Sequence, residues 1–449
     1  MFGYQSAEKF PYEDKNSRAV RLAFQELGFS EVDFNSWQQT GVMFFQGTQH
    51  KGERRSTNRA FLEPIRHQRS NLKVVTNARV TKILINDQKR AYGVEYAHEL
   101  DRSKTGTVFA DKEIVVSGGS VNSPQLLQLS GIGPADVLQA AGVQQVKELP
   151  VGKNLQDHVT TTGFVVTLDN LATEKNAEDE LNDDIKNYVQ NRNGPFAGIG
   201  PTTSCGFAKS RHVPANLDYP DILYGFLSLA MPWANETCTT NVVSPTNYYE
   251  TLIYWSINVR PKSRGHIAIK SSDPFEDPLI YPNYFGDPQD LDVVVDGYNM
   301  GMKALQTRSL RNAGFKINST PAPGCESYTF ASDEYWVCLA RNYTQPIFHP
   351  AGTCKMGPAS DVTAVVDPQL KVHGIKGLRV ADCSIMPQIV SGTPNAVAIM
   401  IGDRCADFIK KEYGLFPFSI TSPNIHASQF SSNLNDRLAQ ITQEWKSQL

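Results

Sequence analysis

A strand that leads through a glycine turn into a helix constrains the fold of this chain more than any other feature. Glu113–Gly119 contains the apolar run Ile-Val-Val, typical of a buried strand, and ends in two glycines. Ser123 as the N-cap and Pro124 at the first helical position predict a helix over Gln125–Ser130. Glycines let the backbone approach a ligand closely, and a helix N-terminus favours negative charge. The unit therefore predicts an α/β segment that can bind an anionic ligand, although an ordinary tight strand–helix connection is an alternative interpretation.

Elements of both kinds are predicted along the rest of the chain. An amphipathic helix ended by a glycine is predicted over Arg18–Gly28. Apolar patterning also predicts strands over Leu72–Thr76, Arg79–Ile85, Ala91–Ala97 and Thr107–Val116, an acidic helix over Glu174–Val189, strands over Tyr249–Arg260, His266–Lys270 and Leu378–Asp382, a helix over Asn395–Lys411 and a late helix in the tail Phe416–Leu449. The length suggests two or three core-forming units.

Charge and composition exclude several classes of protein. The 449 residues carry 43 basic and 46 acidic side chains, which gives a formal net charge of −3. A chain this close to neutral has no field suited to nucleic acid, and its apolar runs are too short to span a bilayer. Apolar residues make up 40% of the chain, which excludes a disordered or collagen-like protein.

The cysteines and the N-terminus bear on compartment and metal binding. The seven cysteines are too few and too scattered for a disulfide-dense domain, and no Cys-x-x-Cys pair indicates zinc. Met1–Phe10 has no basic segment followed by an apolar stretch, so no signal peptide is predicted. Asn-x-Ser/Thr tripeptides at Asn235, Asn318 and Asn342 leave open a secreted parent protein whose leader is not in this chain.

His349 is the first candidate catalytic residue. It lies in Phe348–Gly357 among small residues that would let a flat ligand approach. Histidine is also the side chain best suited to act as a base at neutral pH. A hydrogen-bonded structural histidine is the alternative interpretation. Cys354, which has no second histidine or cysteine at metal-site spacing, is interpreted as a small buried residue.

An aspartate and a helix start form a second candidate site. Asp382 ends a predicted strand, and a helix is predicted to begin near Asn395 after a loop that contains Gly392. A carboxylate and the positive end of a helix dipole would then lie near one place. The alternative is an ordinary capped helix, since the sequence Thr-Pro-Asn suits capping.

Several long segments, taken in their order along the chain, carry a family resemblance. They are Ser123–Pro134, Val151–His158, Arg260–His266, Asp273-Pro274, Tyr281–Tyr284, His349–Gly357 and Leu378–Asp403. These segments resemble landmarks of the glucose–methanol–choline (GMC) oxidoreductases, and they are most similar to the insect glucose dehydrogenase-like branch. The resemblance is dense over residues 52–161, 259–303 and 342–411.

The resemblance implies a fold of mixed α/β and α+β type, with a partial Rossmann-like FAD-binding domain and a substrate domain built on an antiparallel sheet and helices. It implies oxidation of an alcohol, polyol or sugar by hydride transfer to FAD, with oxygen or a quinone as electron acceptor. His349 would take the hydroxyl proton, Asn395 would hydrogen-bond the alkoxide, and Val80 would contact the adenine part. The residues that would line the cofactor are Gly118, Gly119, Asp382, Asn395 and Ala396. No metal, nucleic acid or membrane span is expected.

The resemblance also implies a division of the chain into five segments. Residues 1–60 would be the N-terminal part of the substrate domain, residues 61–160 the middle of the FAD domain, residues 161–341 the substrate-binding domain, residues 342–413 the C-terminal FAD segment with the catalytic residues, and residues 414–449 a C-terminal extension.

One departure from the family concerns the N-terminus. Family members begin with a strand, Gly-x-Gly-x-x-Gly and a helix, and no such motif follows a first strand here. We therefore expect a fragment that lacks the first βαβ unit, binds FAD weakly and leaves the strands ending at Val116 and Asp382 without a neighbour. The alternatives are a binding or decoy protein that has lost FAD, and a lyase that splits cyanohydrins with His349 as base. The missing glycine motif disfavours a nicotinamide enzyme.

Overall fold

The computed structural model describes residues 4–169, 178–228, 249 and 251–415. The chain forms two compact units, Met1–Gly402 and Asp403–Leu449. The first unit contains all of the described strands, and the described part of the second contains the end of the last helix. The α-helices of the described residues are α1 (Lys15–Glu26), α2 (Gly119–Leu129), α3 (Ala135–Ala140), α4 (Glu178–Asn191), α5 (Pro288–Leu305), α6 (Arg308–Asn312), α7 (Asp333–Tyr343) and α8 (Asn395–Glu412).

The strands of the described residues form several antiparallel sheets and two parallel pairs. In chain order they are β1 (Glu8–Lys9), β2 (Gly41–Phe44), β3 (Gln46–Gly47), β4 (Gln49–His50), β5 (Glu53–Arg54), β6 (Ala78–Ile85), β7 (Ala91–His98), β8 (Thr105–Phe109), β9 (Ile114–Val116), β10 (Ile132–Gly133), β11 (Lys147–Glu148), β12 (Val159–Thr161), β13 (Val165–Leu168), β14 (Ser204–Ala208), β15 (Ile222–Leu227), β16 (Thr251–Asn258), β17 (His266–Ala268), β18 (Leu279–Tyr281), β19 (Phe315–Ile317), β20 (Thr344–Pro346) and β21 (Leu378–Val380).

A six-stranded antiparallel sheet, in the order β19–β13–β16–β15–β14–β2, forms the main core. Strand side chains alternate between the two faces, so β16 contributes to both. On one face, Leu252 and Tyr254 are buried in a core shared with α1, α5 and α7. On the other, Ile257 and Phe207 form a smaller cluster against which Ile347 packs. The expected antiparallel sheet with helices is confirmed, and its second face supports the segment that contains His349.

The parallel part of the fold includes the pair formed by β9 and β21. The guanidinium of the fully buried Arg379 contacts the carboxylate of Glu113 at 2.7 Å, which ties the two strands together. Within the described ranges, β21 makes one further bridge, between Arg379 and Lys371. No described strand other than β21 pairs with β9, and the Val115 side chain is exposed. The two strands that were expected to lack a neighbour therefore pair with each other.

Two strand predictions are wrong. Leu72–Thr76 contains no strand, and the side chains of Val74 and Val75 are exposed, because no described segment pairs with this stretch. The predicted strand Thr107–Val116 is divided between β8 and β9, since β8 pairs with β7 whereas β9 pairs with β21. Both ends of the stretch Thr107–Val116 are strands, as predicted. The break between them arises because the two strands pair with different partners.

The remaining predicted elements agree with the structure to within a few residues at their ends. The helix predicted over Arg18–Gly28 is α1, which begins earlier because Asp14 caps its first turn. The acidic helix is observed as α4, and residues 174–177 of that prediction lie outside the described residues. Asn235 and the tail helix within Phe416–Leu449 also lie outside them.

Two further observations concern cysteine and membrane predictions. A disulfide joins Cys325 to Cys338 of α7, a pairing that the sequence left open. Cys354 is fully buried and burial raises the pKa of its thiol, as expected of a structural residue. Among the described helices, none combines the length and apolar character needed to cross a bilayer.

Candidate functional site

His349 lies where two segments that are distant in sequence run antiparallel. β12 pairs with β20, and beyond them Gln156 and Ala351 exchange two main-chain hydrogen bonds. The N–H of Ile347 donates to the carbonyl of His158 at 3.1 Å. This ribbon brings His158 next to His349 although 191 residues separate them.

The imidazole rings of these two histidines contact each other directly. The two Nδ1 atoms are 3.1 Å apart, and Nε2 of His158 lies 3.1 Å from the carbonyl oxygen of Val259. His158 is fully buried and His349 is half-buried. Burial, followed by repulsion from His349, lowers the pKa of His158 to about 3, and burial lowers the pKa of His349 to about 4. Both rings are therefore neutral at pH 7.

Asp157 anchors the backbone of both histidines. Its Oδ1 accepts from the N–H of His349 at 2.9 Å and from that of His158 at 2.8 Å. Its Oδ2 accepts from the hydroxyl of Tyr284 at 2.9 Å. Burial raises the pKa of the Asp157 carboxyl despite these bonds. The carboxylate thus holds the main chain at His349, while His158 contacts the ring.

The backbone on either side of His349 is unusual. Phe348 has φ of +59°, in the left-handed region, and its side chain is 85% exposed. A large residue in this region costs on the order of 1 kcal/mol. Gly352 has φ of +90°, and a Cβ there would lie 2.5 Å from the carbonyl oxygen of Asn154. The missing Cβ at Gly352 therefore allows the segment to lie close to its antiparallel partner.

The glycines that follow β9 and the aspartate that follows β21 meet at the start of α2. Oδ2 of Asp382 accepts from the N–H of Gly119 at 3.0 Å and from the hydroxyl of Ser123 at 2.6 Å. Oγ of Ser123 accepts in turn from the N–H of Gly118 at 2.9 Å. A Cβ added to Gly119 would meet no atom within 4 Å, so that face of the turn is open. Three of the predicted cofactor residues are thus brought together.

Ser123 does not cap α2, so this sequence prediction is wrong. The helix begins at Gly119, and both Ser123 and Pro124 lie inside it. Pro124 has no N–H to donate to the carbonyl of Ser120, four residues earlier. The hydroxyl of Thr353 donates to that carbonyl instead, at 2.7 Å. A donor 233 residues away therefore allows the helix to start before the proline.

We expect that replacing the buried Thr353 by valine destabilises the fold. The carbonyl of Ser120 would lose its donor, which should lower the free energy of unfolding in urea by about 1–3 kcal/mol. Thr107→Val, at an exposed position of β8, is the matched control and should change it by less than about 0.5 kcal/mol. Equal effects of the two substitutions would contradict this role for Thr353.

A cleft of about 470 Å³ opens beside the glycine turn. Its lining includes Val80, Val94, Val115, Gly118, Asn122 and Leu126. The walls are largely apolar, and backbone from the glycine turn lies at one side. Val80, which was predicted to contact the adenine part, and Gly118, which was predicted to line the cofactor, therefore share a cleft.

Asn395 and Ala396 occupy the first two positions of α8, and both are exposed. The first N–H groups of a helix have no partner within the helix, so they are available to a ligand. Ser391 lies in the loop before α8, and its Oγ accepts a hydrogen bond from Nε of Arg260 at 3.0 Å. Within the described part of the chain, Asn395 and His349 do not hydrogen-bond to each other, so a direct contact does not link the two predicted catalytic residues.

Sequence reasoning missed the residues that support the predicted ones. These are His158, Asp157 and Tyr284, none of which was assigned a role in the site, and Ser123, which was predicted only as a helix cap. The available signal was the polar pair Asp157-His158 directly before β12, within the segment Val151–His158 that carries part of the family resemblance. No cluster of three or more metal-ligand side chains occurs among the described residues.

Comparison with known proteins identifies relatives over most of the chain. One family model, described as GMC oxidoreductase, matches residues 5–160, and a second with the same description matches residues 261–402. A glucose dehydrogenase [FAD, quinone] of Drosophila pseudoobscura pseudoobscura is 38% identical over 90% of this chain and 64% of its own length. An alcohol dehydrogenase [acceptor] of Pseudomonas putida is 36% identical over 85% of this chain and 65% of its own length.

A solved structure of an FAD-dependent oxidoreductase from Chaetomium thermophilum resembles the fold with a TM-score of 0.77. It is 25% identical and is matched over 91% of this chain and 74% of that chain. The chain belongs to the GMC oxidoreductase family. It spans less than two thirds of the glucose and alcohol dehydrogenases that it matches. The expectation that a first βαβ unit is missing is not confirmed, because the first family model matches from residue 5, and it stays a prediction.

Proposed function

We propose that the protein is an FAD-dependent oxidoreductase that acts on the CH–OH group of an alcohol, polyol or sugar. The observation that carries the proposal is the His349 ring, which is neutral, held on one side by His158 and without a hydrogen-bond partner at Nε2 among the described residues. Such a ring can accept a hydroxyl proton. The names of the glucose and alcohol dehydrogenase relatives support the substrate class.

The residues present fit part of an FAD molecule. The apolar cleft would hold the adenine part at Val80, and Gly118, Gly119 and Asp382 would line the cofactor beside the start of α2. Asn395 and Ala396 would approach it with the N-terminus of α8, whose dipole favours negative charge. When bound, FAD would accept the hydride and pass its electrons to a quinone or to oxygen. The name of the Drosophila relative, glucose dehydrogenase [FAD, quinone], supports a quinone.

The chain's own residues would then divide the chemistry between them. His349 would take the proton of the substrate hydroxyl, and the amide of Asn395 would donate a hydrogen bond to the substrate oxygen as it becomes negative. Residues 61–160 and 342–413 would form the cofactor-binding side, and residues 1–60 and 161–341 the substrate side. Residues 414–449 would be a C-terminal extension.

The test is anaerobic mixing of the flavin-loaded protein with alcohols, polyols and sugars. We expect at least one of them to bleach the absorbance of oxidised flavin and a quinone to restore it. If no CH–OH compound reduces the flavin, the proposal is wrong. Release of cyanide from a cyanohydrin without bleaching would favour the lyase alternative.

We expect the rate of flavin reduction to be independent of pH from about pH 6 to about pH 8. Only neutral His349 can accept a proton, and burial lowers its pKa to about 4, so the rate should rise with pH through about 4 and then level off. Anaerobic stopped-flow measurements at a series of pH values check this. A rise centred near the ordinary histidine pKa of about 6.5 would contradict it.

A further inference from the structure

The ring of His158 is buried behind that of His349 and is hydrogen-bonded at both of its nitrogens. Nε2 faces the carbonyl oxygen of Val259 at 3.1 Å, and Nδ1 faces Nδ1 of His349 at 3.1 Å. The carboxylate of Asp157 lies nearby, but it accepts from two main-chain N–H groups and from the hydroxyl of Tyr284. The two rings are therefore partners of each other.

The positions of the ring hydrogens follow from these contacts. A carbonyl oxygen only accepts hydrogen bonds, so Nε2 of His158 must carry a hydrogen. A neutral imidazole has only one N–H, which leaves Nδ1 of His158 as an acceptor. Nδ1 of His349 must then be the donor in the contact between the rings. Since His349 is neutral as well, its Nε2 carries a lone pair.

We propose that His158 is a positioning residue that holds His349 in the tautomer whose Nε2 can accept the substrate hydroxyl proton. The role of this tautomer in accepting a substrate proton rests on the proposed function. In the reaction, the O–H bond breaks and its proton forms a bond to Nε2 of His349. When bound, the flavin would accept the hydride that leaves the carbinol carbon with its electron pair, and the product would be a carbonyl compound.

His158 also has a second effect once the proton has moved. Protonated His349 keeps its hydrogen on Nδ1, so the hydrogen bond to His158 becomes charge-assisted and stronger. The hydrogen bond between the two rings therefore stabilises the protonated His349 that the reaction forms. Before the reaction, the same hydrogen bond selects the reactive tautomer of His349. Val259 contributes indirectly, because its carbonyl sets the tautomer of His158.

The tautomers can be measured without any turnover by ¹⁵N NMR of histidine-labelled protein. The signals of the two rings are identified by their absence from spectra of His158→Phe and His349→Gln. We expect His349 to show N–H at Nδ1 and a bare Nε2, and His158 to show the reverse. In His158→Phe, His349 should shift towards the form with N–H at Nε2. A hydrogen on Nε2 of His349 in the unmodified protein overturns the proposal.

The kinetic test compares three variants as flavin-loaded proteins. His158→Phe should lower the limiting rate of reduction per bound flavin by about 10²-fold, with little change in the substrate concentration for half-maximal rate. His158→Asn, whose amide oxygen stands roughly where Nδ1 stood and can accept from His349, should stay within about 10-fold of the unmodified protein. His373→Phe is the matched control, since His373 also contacts a backbone carbonyl, that of Gly357 at 3.0 Å.

The outcomes separate this proposal from the proposed function. Full activity of His158→Phe, or an equal loss in His373→Phe, overturns the positioning role. If no alcohol reduces the flavin while the NMR pattern is as expected, the proposed function is wrong and the tautomer assignment stands.

Discussion

Replacing His349 by alanine is expected to lower the rate of flavin reduction by alcohol about 10²–10⁴-fold, the usual value of a general base. The proton acceptor would be lost, while the remaining contacts to the alcohol would be kept. The effect should therefore fall on the limiting rate rather than on alcohol binding. The measurement is anaerobic stopped-flow reduction, expressed per bound flavin so that differences in cofactor content do not enter.

The alternative interpretation of His349 as a structural histidine predicts a different pattern. Thermal stability and flavin content would fall together, and the rate per bound flavin would stay within a few-fold of the unmodified protein. His373→Ala shows what a purely structural loss looks like, because His373 is also half-buried and contacts a backbone carbonyl. We expect the two variants to differ clearly in rate per bound flavin.

Replacing Asn395 by alanine is expected to lower the same rate by about 10²-fold, as removal of one donor to a developing oxyanion does elsewhere. The amide would donate to a charge that exists mainly in the transition state, so alcohol binding should change little. Asn216→Ala, at an exposed loop position, is the matched control and should leave the rate unchanged. If alanine at position 395 reduces only thermal stability, Asn395 acts solely at the start of α8.

Both residues would serve one substrate oxygen, and their effects should therefore not add. The double variant of His349 and Asn395 should be less impaired than the product of the two single effects predicts. The same stopped-flow measurement gives this coupling. Fully multiplicative losses would show that the two side chains act on different steps or different atoms.

The elements that the sequence predicted well are those decided by local pattern. The start of α8 at Asn395 and the strand that became β16 follow from loop residues and apolar patterning within a few positions. The glycine turn after β9 was likewise recognised as a place of close backbone approach, and the face of the turn at Gly119 is open. In each case the residues that determine the structure are close in sequence.

The features that the sequence did not predict depend on distant partners. The start of α2 depends on Thr353, which supplies the donor that Pro124 cannot. The pairing of His158 with His349 depends on the register of β12 against β20. A single sequence gives no local signal that pairs Thr353 with Ser120, or His158 with His349. The family resemblance indicated His349 and Asn395, but the residues that hold His349 in place came only from the fold.

The measurement that tests the central claim most directly is single-turnover flavin reduction by an alcohol with deuterium on the carbinol carbon. We expect deuterium to slow bleaching of the flavin, because the C–H bond breaks in that step. We also expect His349→Ala to slow the step further per bound flavin. Equal rates for the two isotopic alcohols, together with a His349→Ala rate close to that of the unmodified protein, would contradict the account.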